Sequence, residues 1–287
     1  MENELFIGMS RDIIWNFDRE TKKDGGTMLN KQGGLTHGDL SLCSILWIET
    51  YAQYFNGNYL FKLKDLMEGL GLSSKSTNNR QLPKIRTALV ELQHYELLFS
   101  EKPMNKYKLD EWIVCQLHLR DEGVPFFKIY KDRIEDIINT VGSKNIVKCL
   151  VVETIYRSRE YQTTDNNGKS EAELASEYTP HCAEMSWRII APKIDAVMSK
   201  HETWDKYVKI MEDKGLLFTK LKYKDDGSVK CKVYSDNARS LNLRIKQDSS
   251  YYEDNLNTEE IILPIPEEEE EPIREIQFRG FRNRSVF

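Results

Sequence analysis

The sequence predicts an α+β fold, mainly helical with small β-hairpins, and two observations support this prediction. Apolar residues recur at helical spacing in two long stretches, SLCSILWIETYAQYF at 41–55 and NIVKCLVVETIYRSREY at 145–161. Around residues 99–117 and again around 218–237, apolar and basic residues alternate on either side of turn residues, which is typical of hairpins. Each hairpin pattern follows a helical pattern, so we expect two similar halves.

A weak internal repeat supports this division. LWIET at 46–50 matches LVVET at 150–154, and the apolar positions of 85–99 match those of 204–218. A polar insert, QTTDNNGKSEAEL at 162–174, accounts for the larger offset of the second match. Both halves are predicted to run long helix, short helix, turn, helix and basic hairpin, and this shared order is a stronger signal than residue identity.

In the first half, FKLKDLMEGLGL at 61–72 predicts a short helix that Gly71 ends, and the polar turn SSKSTNN follows. A second helix is expected to begin near Pro83, because the fixed φ of proline suits the first helical turn. The spacing of its apolar residues predicts an inward face made of Ile85, Ala88, Leu89 and Leu92.

In the second half, Pro192 is expected to begin the short helix PKIDAVM. Ser199 and Glu202 fit a capping box, so a new helix is predicted there. Gly215 stands where a left-handed residue would end that helix. The predicted inward residues are Trp204, Tyr207, Val208 and Met211.

The second hairpin, FTKLKYKDDGSVKCKVYSDN, is rich in lysine. A three-residue turn with Gly227 left-handed would pair Lys222 with Lys230 and Lys220 with Lys232, which puts ammonium groups on one face. Like charges opposite each other on a sheet oppose folding unless an external anion offsets them. From this stretch alone, the lysine face could either bind a polyanion or simply be solvated, and both interpretations stay open.

The charge of the chain is unevenly distributed. Residues 248–287 carry eleven acidic and four basic side chains, so the net charge of −5 for the whole chain leaves +2 on residues 1–247. Residues 200–246 alone carry +5. The overall acidity therefore hides a basic segment of the kind that binds nucleic acid.

Other site chemistry finds little support in the sequence. The five cysteines are scattered singly and the five histidines form no His-x-His pair, so we expect no disulfide framework, no metal and no cofactor. NNGKS, ending at Ser170, lacks the first glycine and the preceding strand of a phosphate-binding loop. We therefore do not expect an enzyme. No apolar run approaches the length of a signal peptide or a membrane span, so a cytoplasmic protein is expected.

A helical bundle whose last helix runs into a basic hairpin resembles the winged helix-turn-helix, and two such units are similar to the replication initiators of plasmids and phages. The resemblance covers roughly residues 35–245. It implies an N-terminal extension at 1–34, winged-helix domains at 35–122 and 123–247, and an acidic, disordered tail at 248–287. We call 35–122 and 123–247 the first and second half.

The resemblance also implies which side chains contact DNA, because the helix after the turn enters the major groove and the wing contacts the backbone. The major-groove positions are Asn78, Asn79, Arg80, Lys84 and Arg86 in the first half and Lys200, His201, Thr203, Lys206 and Lys209 in the second. The wing positions are Lys102, Lys106 and Lys108 in the first half and Lys220, Lys222, Lys224, Lys230 and Lys232 in the second. Glu202 and Asp205 depart from this pattern, since carboxylates repel phosphates.

These features predict a sequence-specific double-stranded DNA-binding protein that initiates plasmid or phage replication. A transcriptional regulator with the same two units and a protein-interaction module are the alternatives. The acidic tail is expected to fold back on the lysine wings or only to keep the protein in solution, and its last residues could add as a strand to a replication or transcription protein. Both a monomer spanning two half-sites and a homodimer are compatible with the repeat.

Overall fold

The computed structural model describes residues 5–15, 28–29, 35–74, 80–120, 126–160, 182–194 and 197–247, all within one compact unit, Met1–Glu253. These residues form an α+β fold of nine helices and small antiparallel sheets, which confirms the predicted fold class at that level. Asn78, Asn79, the insert at 162–174, the tail and most of the N-terminal extension lie outside the described residues.

The helices are α1 Arg11–Trp15, α2 Gly38–Tyr51, α3 Leu63–Gly69, α4 Gln81–His94, α5 Lys131–Thr140, α6 Ile146–Glu160, α7 Trp187–Ile194, α8 His201–Glu212 and α9 Ala238–Gln247. The strands are β1 Phe6–Ser10, β2 Gln53–Phe55, β3 Asn58–Lys62, β4 Leu98–Ser100, β5 Trp112–Leu117, β6 Phe126–Tyr130, β7 Cys182–Met185, β8 Phe218–Tyr223 and β9 Val229–Ser235. Within the described ranges, no helix is both long and apolar enough to cross a membrane.

The two halves share one order of elements. In each, a long helix (α2 or α6) precedes a strand, two helices and two further strands. The sheet orders are β2-β3-β5-β4 and β7-β9-β8, so the strand before the helix pair always hydrogen-bonds to the last strand of its half. The first half adds the hairpin strand β2, and the second adds the helix α9.

A separate two-stranded ribbon joins distant parts of the chain. β1 pairs antiparallel with β6, with Phe6 opposite Tyr130 and Ser10 opposite Phe126. One cluster of buried apolar side chains then extends from β1 through both halves. The predicted inward faces are part of it: Ile85, Ala88, Leu89, Leu92, Trp204, Val208 and Met211 are buried, and Tyr207 is half-buried.

One predicted helix start and one predicted helix cap are wrong. α7 contains Pro192 instead of beginning at it, because the Ser186 carbonyl accepts the amides of Ile189 and Ile190 and completes a first turn earlier. At α8, the N-cap is Lys200 and no side chain caps the helix, so Ser199 does not form the predicted capping box. The predicted glycine ends are correct, since Gly71 and Gly215 have φ of +70° and +68°.

The predicted lysine face of the second hairpin is also wrong. The tight turn forms as expected, with Gly227 at φ +77°. A bulge between Lys222 and Tyr223 then shifts the register, so Lys222 lies opposite Cys231 and Lys220 opposite Val233. Because a shift of one residue moves a side chain to the other face of a strand, Lys232 leaves the face that carries Lys220 and Lys222.

A buried charge cluster holds the base of this hairpin against α5 and α6. Arg157 donates to Glu153 at 2.9 Å, to Glu160 at 2.8 Å and to Asp236, directly after β9. Arg133 contacts Glu153 at 3.3 Å and donates to the carbonyl of Leu216, just before β8. Burial opposes ionisation of Arg157, but Glu153 and Glu160 outweigh it and raise the pKa of the guanidinium.

Candidate nucleic-acid interface

The start of α4 presents part of the predicted first-half contact set. Arg80 is the N-cap residue of α4, and the side chains of Arg80 and Lys84 are exposed. Arg86 instead turns toward the protein, where its Nη2 donates to the carbonyl of Tyr107 at 3.0 Å. Arg80 and Lys84 therefore remain available to a ligand, whereas Arg86 supports the chain that leads to β5.

The first-half hairpin differs in form from the prediction, because β4 and β5 are separated by residues 101–111 and the three predicted lysines lie in that connection. Lys106 and Lys108 are exposed. Lys102 pairs with Glu111 and lies 4.2 Å from the centre of the Tyr107 ring. The hydrogen bond from Lys102, and then that from the Lys108 amide, lower the pKa of Glu111.

The structure does bring these three lysines together. One open depression of about 580 Å³ is lined by Lys102, Lys106, Lys108, Leu109, Asp110 and Glu111. Its walls mix cationic and anionic groups, so the local field is weaker than three lysines alone would give. In the described contacts of this depression, Lys102 forms an ion pair, whereas Lys106 and Lys108 do not.

The predicted second-half helix contacts lie along α8 and at its N-cap residue. Lys200, His201 and Lys206 are exposed, Thr203 is half-buried, and Lys209 is exposed with Asp213 3.8 Å away. The His201 ring stacks on Trp187, with ring centres 4.9 Å apart, and its Nε2 lies 3.1 Å from Asp205. Two neighbours therefore fix the position of this imidazole.

The second hairpin presents only part of its lysine set to solvent. Lys220, Lys224 and Lys230 are exposed. Lys222 is buried on the sheet face, where its Nζ lies 2.8 Å from Glu184 of β7. Lys232, on the opposite face, lies 2.7 Å from Asp205 of α8.

Among the predicted hairpin lysines, Lys102, Lys222 and Lys232 thus lie beside carboxylates of the described part of the chain. Sequence reasoning missed these counterions because Glu184 and Asp205 are distant from the lysines along the chain. Burial opposes ionisation of Glu184, yet hydrogen bonds from Lys222 and Arg244 outweigh it and lower the pKa of this carboxyl. The available cationic surface is correspondingly smaller than the sequence predicts.

The exposed cations among the predicted contact residues form two similar sets. Each set lies on or just before the second helix of the helix pair (α4 or α8) and along the chain that follows it: Arg80, Lys84, Lys106 and Lys108 in the first half, and Lys200, Lys206, Lys220, Lys224 and Lys230 in the second. Such groups can neutralise phosphates, and guanidinium can also form bidentate hydrogen bonds. In the described residues, no group of three or more His, Cys, Asp or Glu side chains could hold a metal ion.

Comparisons with protein-family models, with curated proteins and with solved structures found no match to this chain.

Proposed function

We propose that this protein is a sequence-specific double-stranded DNA-binding protein that initiates plasmid or phage replication through two winged-helix units. The observation that carries the proposal is the shared order of elements and strands in the two halves, helix, strand, helix, helix, strand, strand, with the first strand paired to the last. A winged helix has a connectivity of this kind, and we assign α4 and α8 to its recognition position.

The placement of exposed charge supports the same proposal. Arg80 and Lys84 lie at the start of α4, and Lys200 and Lys206 lie at the N-cap and in the N-terminal half of α8; the N-terminal part of a recognition helix contacts base edges. The exposed lysines of the two hairpins then contact the phosphate backbone and position the protein, since lysine lacks the bidentate fork that reads a base.

Duplex binding tests this proposal directly. We expect purified full-length protein to bind a fluorescent 40-base-pair duplex, with log K falling against log salt at a slope of about −4 to −7, because about five to eight phosphates are neutralised. A duplex from the origin region of the replicon that carries the gene is expected to bind at least about tenfold more tightly than a random duplex. Absence of binding to any duplex at 50 mM salt contradicts the proposal.

An initiator and a transcriptional regulator differ in what the bound protein does. Supplied in trans, the initiator is expected to sustain replication of a plasmid that carries the origin but lacks the gene. A protein that alters only transcription from the bound region is a regulator with the same two units. A protein-interaction module is the second candidate function, and the open aromatic face of the first-half sheet favours it.

A further inference from the structure

The first-half sheet leaves one face open. Phe55, Phe99, Trp112 and Val114 are 67, 45, 51 and 45 % exposed. They share this face, because Trp112 lies opposite Lys62, Val114 opposite Leu60, Phe99 opposite Gln116 and Phe55 opposite Asn58. Gln116 and Asn58 lie on the same face and are joined by a hydrogen bond of 3.2 Å. Clustered exposed aromatic side chains mark an interaction surface.

In the second half, the corresponding sheet face is covered. α9 packs across β7, β8 and β9, and Leu241 of α9 contacts Val233 with Phe218 and Cys182 beside it. Arg244 of α9 pairs with Glu184 at 2.8 Å. Phe218 occupies the strand position that Phe99 has in the first half, yet Phe218 is half-buried and Phe99 is exposed.

Among the described residues, the first half has no covering helix of its own. Only residues 118–125 connect β5 to β6, too few for a helix of the length of α9. The charged residues on the face also differ. Leu60 takes the place of Glu184, because Leu60 pairs with Val114 as Glu184 pairs with Val233, and the cation Lys62 lies 4.8 Å from the Trp112 ring on the same face.

We propose that this open face, defined by Phe55, Leu60, Lys62, Phe99, Trp112 and Val114, binds an amphipathic helix of a partner protein. The helix docks as α9 does, with a stripe of leucine-sized side chains at i, i+3, i+4 and i+7 on the aromatic residues. It carries a carboxylate opposite Lys62, whereas α9 carries Arg244 opposite Glu184. The proposal does not depend on DNA binding, because none of these residues belongs to the exposed cation sets.

Photo-crosslinking in cells identifies the occupant. Full-length protein with p-benzoylphenylalanine at position 112 is expected to form an adduct, whereas the same group at position 189, an exposed apolar position on α7, is not. The crosslinked segment is expected to have apolar residues at helical spacing and flanking acids. An adduct with a second copy of this chain or with nucleic acid, or no adduct at position 112, overturns the proposal.

A synthetic peptide of the crosslinked segment then tests the contacts. Its affinity for the full-length protein is expected to fall at least about tenfold on Phe99→Ser and on Lys62→Glu, and to remain unchanged on the control Ile189→Ser. Replacing the acid of the peptide with lysine is expected to restore binding to Lys62→Glu. Equal affinity for all four proteins overturns the proposal. Urea unfolding midpoints close to that of the unmodified protein show that the variants are folded, whether or not the protein binds DNA.

Discussion

Lys222 and Glu184 form an ion pair across the face of the β7-β9-β8 sheet, with 2.8 Å between Nζ and a carboxylate oxygen and only 5 % of the Lys222 side chain exposed. Glu184 also accepts from Arg244 of α9, so one carboxylate holds a strand and a helix together. This pair makes Lys222 part of the support of the hairpin and removes it from the surface that a polyanion could reach.

We therefore expect Lys222 and Lys220 to differ in their effects. Lys220→Gln should reduce the magnitude of the salt slope of duplex binding by about 1, because one phosphate contact is lost. Lys222→Met should leave this slope unchanged and lower the free energy of unfolding by about 1–3 kcal/mol, since Glu184 loses one of two cationic partners. Anisotropy titrations at several salt concentrations and urea unfolding measure both. A smaller salt slope for the Lys222→Met variant would contradict the assignment of Lys222 to the support of the hairpin.

The buried cluster around Glu153 should make stability depend on pH. Burial opposes ionisation of this carboxyl, but Arg133 and Arg157 outweigh it and lower its pKa in the folded protein. Because the folded pKa lies below the unfolded value of about 4.3, the stabilisation is complete above that value and is lost as pH falls through the folded pKa. Glu153→Gln should remove this part of the acid dependence and lower the free energy of unfolding at pH 7 by about 3–5 kcal/mol.

The matched control is Glu135→Gln, because Glu135 lies on α5 and is exposed. Urea unfolding between pH 3 and 7 should give this control the same pH dependence as the unmodified protein. Equal unfolding free energies for the Glu153→Gln and Glu135→Gln variants at pH 7 would show that the cluster contributes no net stability.

Two glycines with similar backbone geometry should respond differently to alanine. Gly71 and Gly142 have φ of +70° and +79°, so alanine is strained by about 1 kcal/mol at either position. A Cβ on Gly71 would lie 2.2 Å from the Ser143 carbonyl oxygen, whereas nothing lies within 4 Å of one on Gly142. Gly71→Ala should therefore cost about 1–3 kcal/mol more than Gly142→Ala in unfolding. Equal costs would mean that the α5–α6 loop moves aside.

Local sequence pattern predicted the three helices of each repeat but not α1, α5 or α9, and it predicted strand pairing poorly. The inward faces of α4 and α8 follow from the spacing of apolar residues, and Gly71, Gly215 and Gly227 have the left-handed geometry that their positions suggested. β1 and β6 were not predicted, because residues 6–10 pair with residues 126–130 and the sequence of neither short segment indicates which strand it pairs with.

The candidate site shows the same limit. Alternation located the lysines of the second hairpin, but one bulge decided which face each of them occupies. The spacing also could not show that Glu184 and Asp205 neutralise Lys222 and Lys232, since both contacts depend on how β7 and α8 pack against the hairpin. Long-range packing therefore set the charge that the interface presents.

Asp205 offers a test by gain of function. Its carboxylate lies 3.1 Å from the His201 imidazole and 2.7 Å from the Lys232 ammonium, at the start of the helix proposed to enter the major groove. Asp205→Asn removes a negative charge near the phosphates and releases Lys232. We expect duplex affinity to rise about three- to tenfold and the salt slope to steepen by about 1, because one more lysine becomes available.

The control for this change is Asp213→Asn, which removes an exposed carboxylate 3.8 Å from Lys209 just beyond the other end of α8. We expect it to change affinity less than Asp205→Asn, because it is farther from the start of the helix. Both variants should stay within about 1 kcal/mol of the unmodified protein in unfolding, since partly exposed ion pairs contribute little. If Asp205→Asn weakens duplex binding while the protein remains folded, the start of α8 does not face DNA, and the contact surface of the second half lies elsewhere.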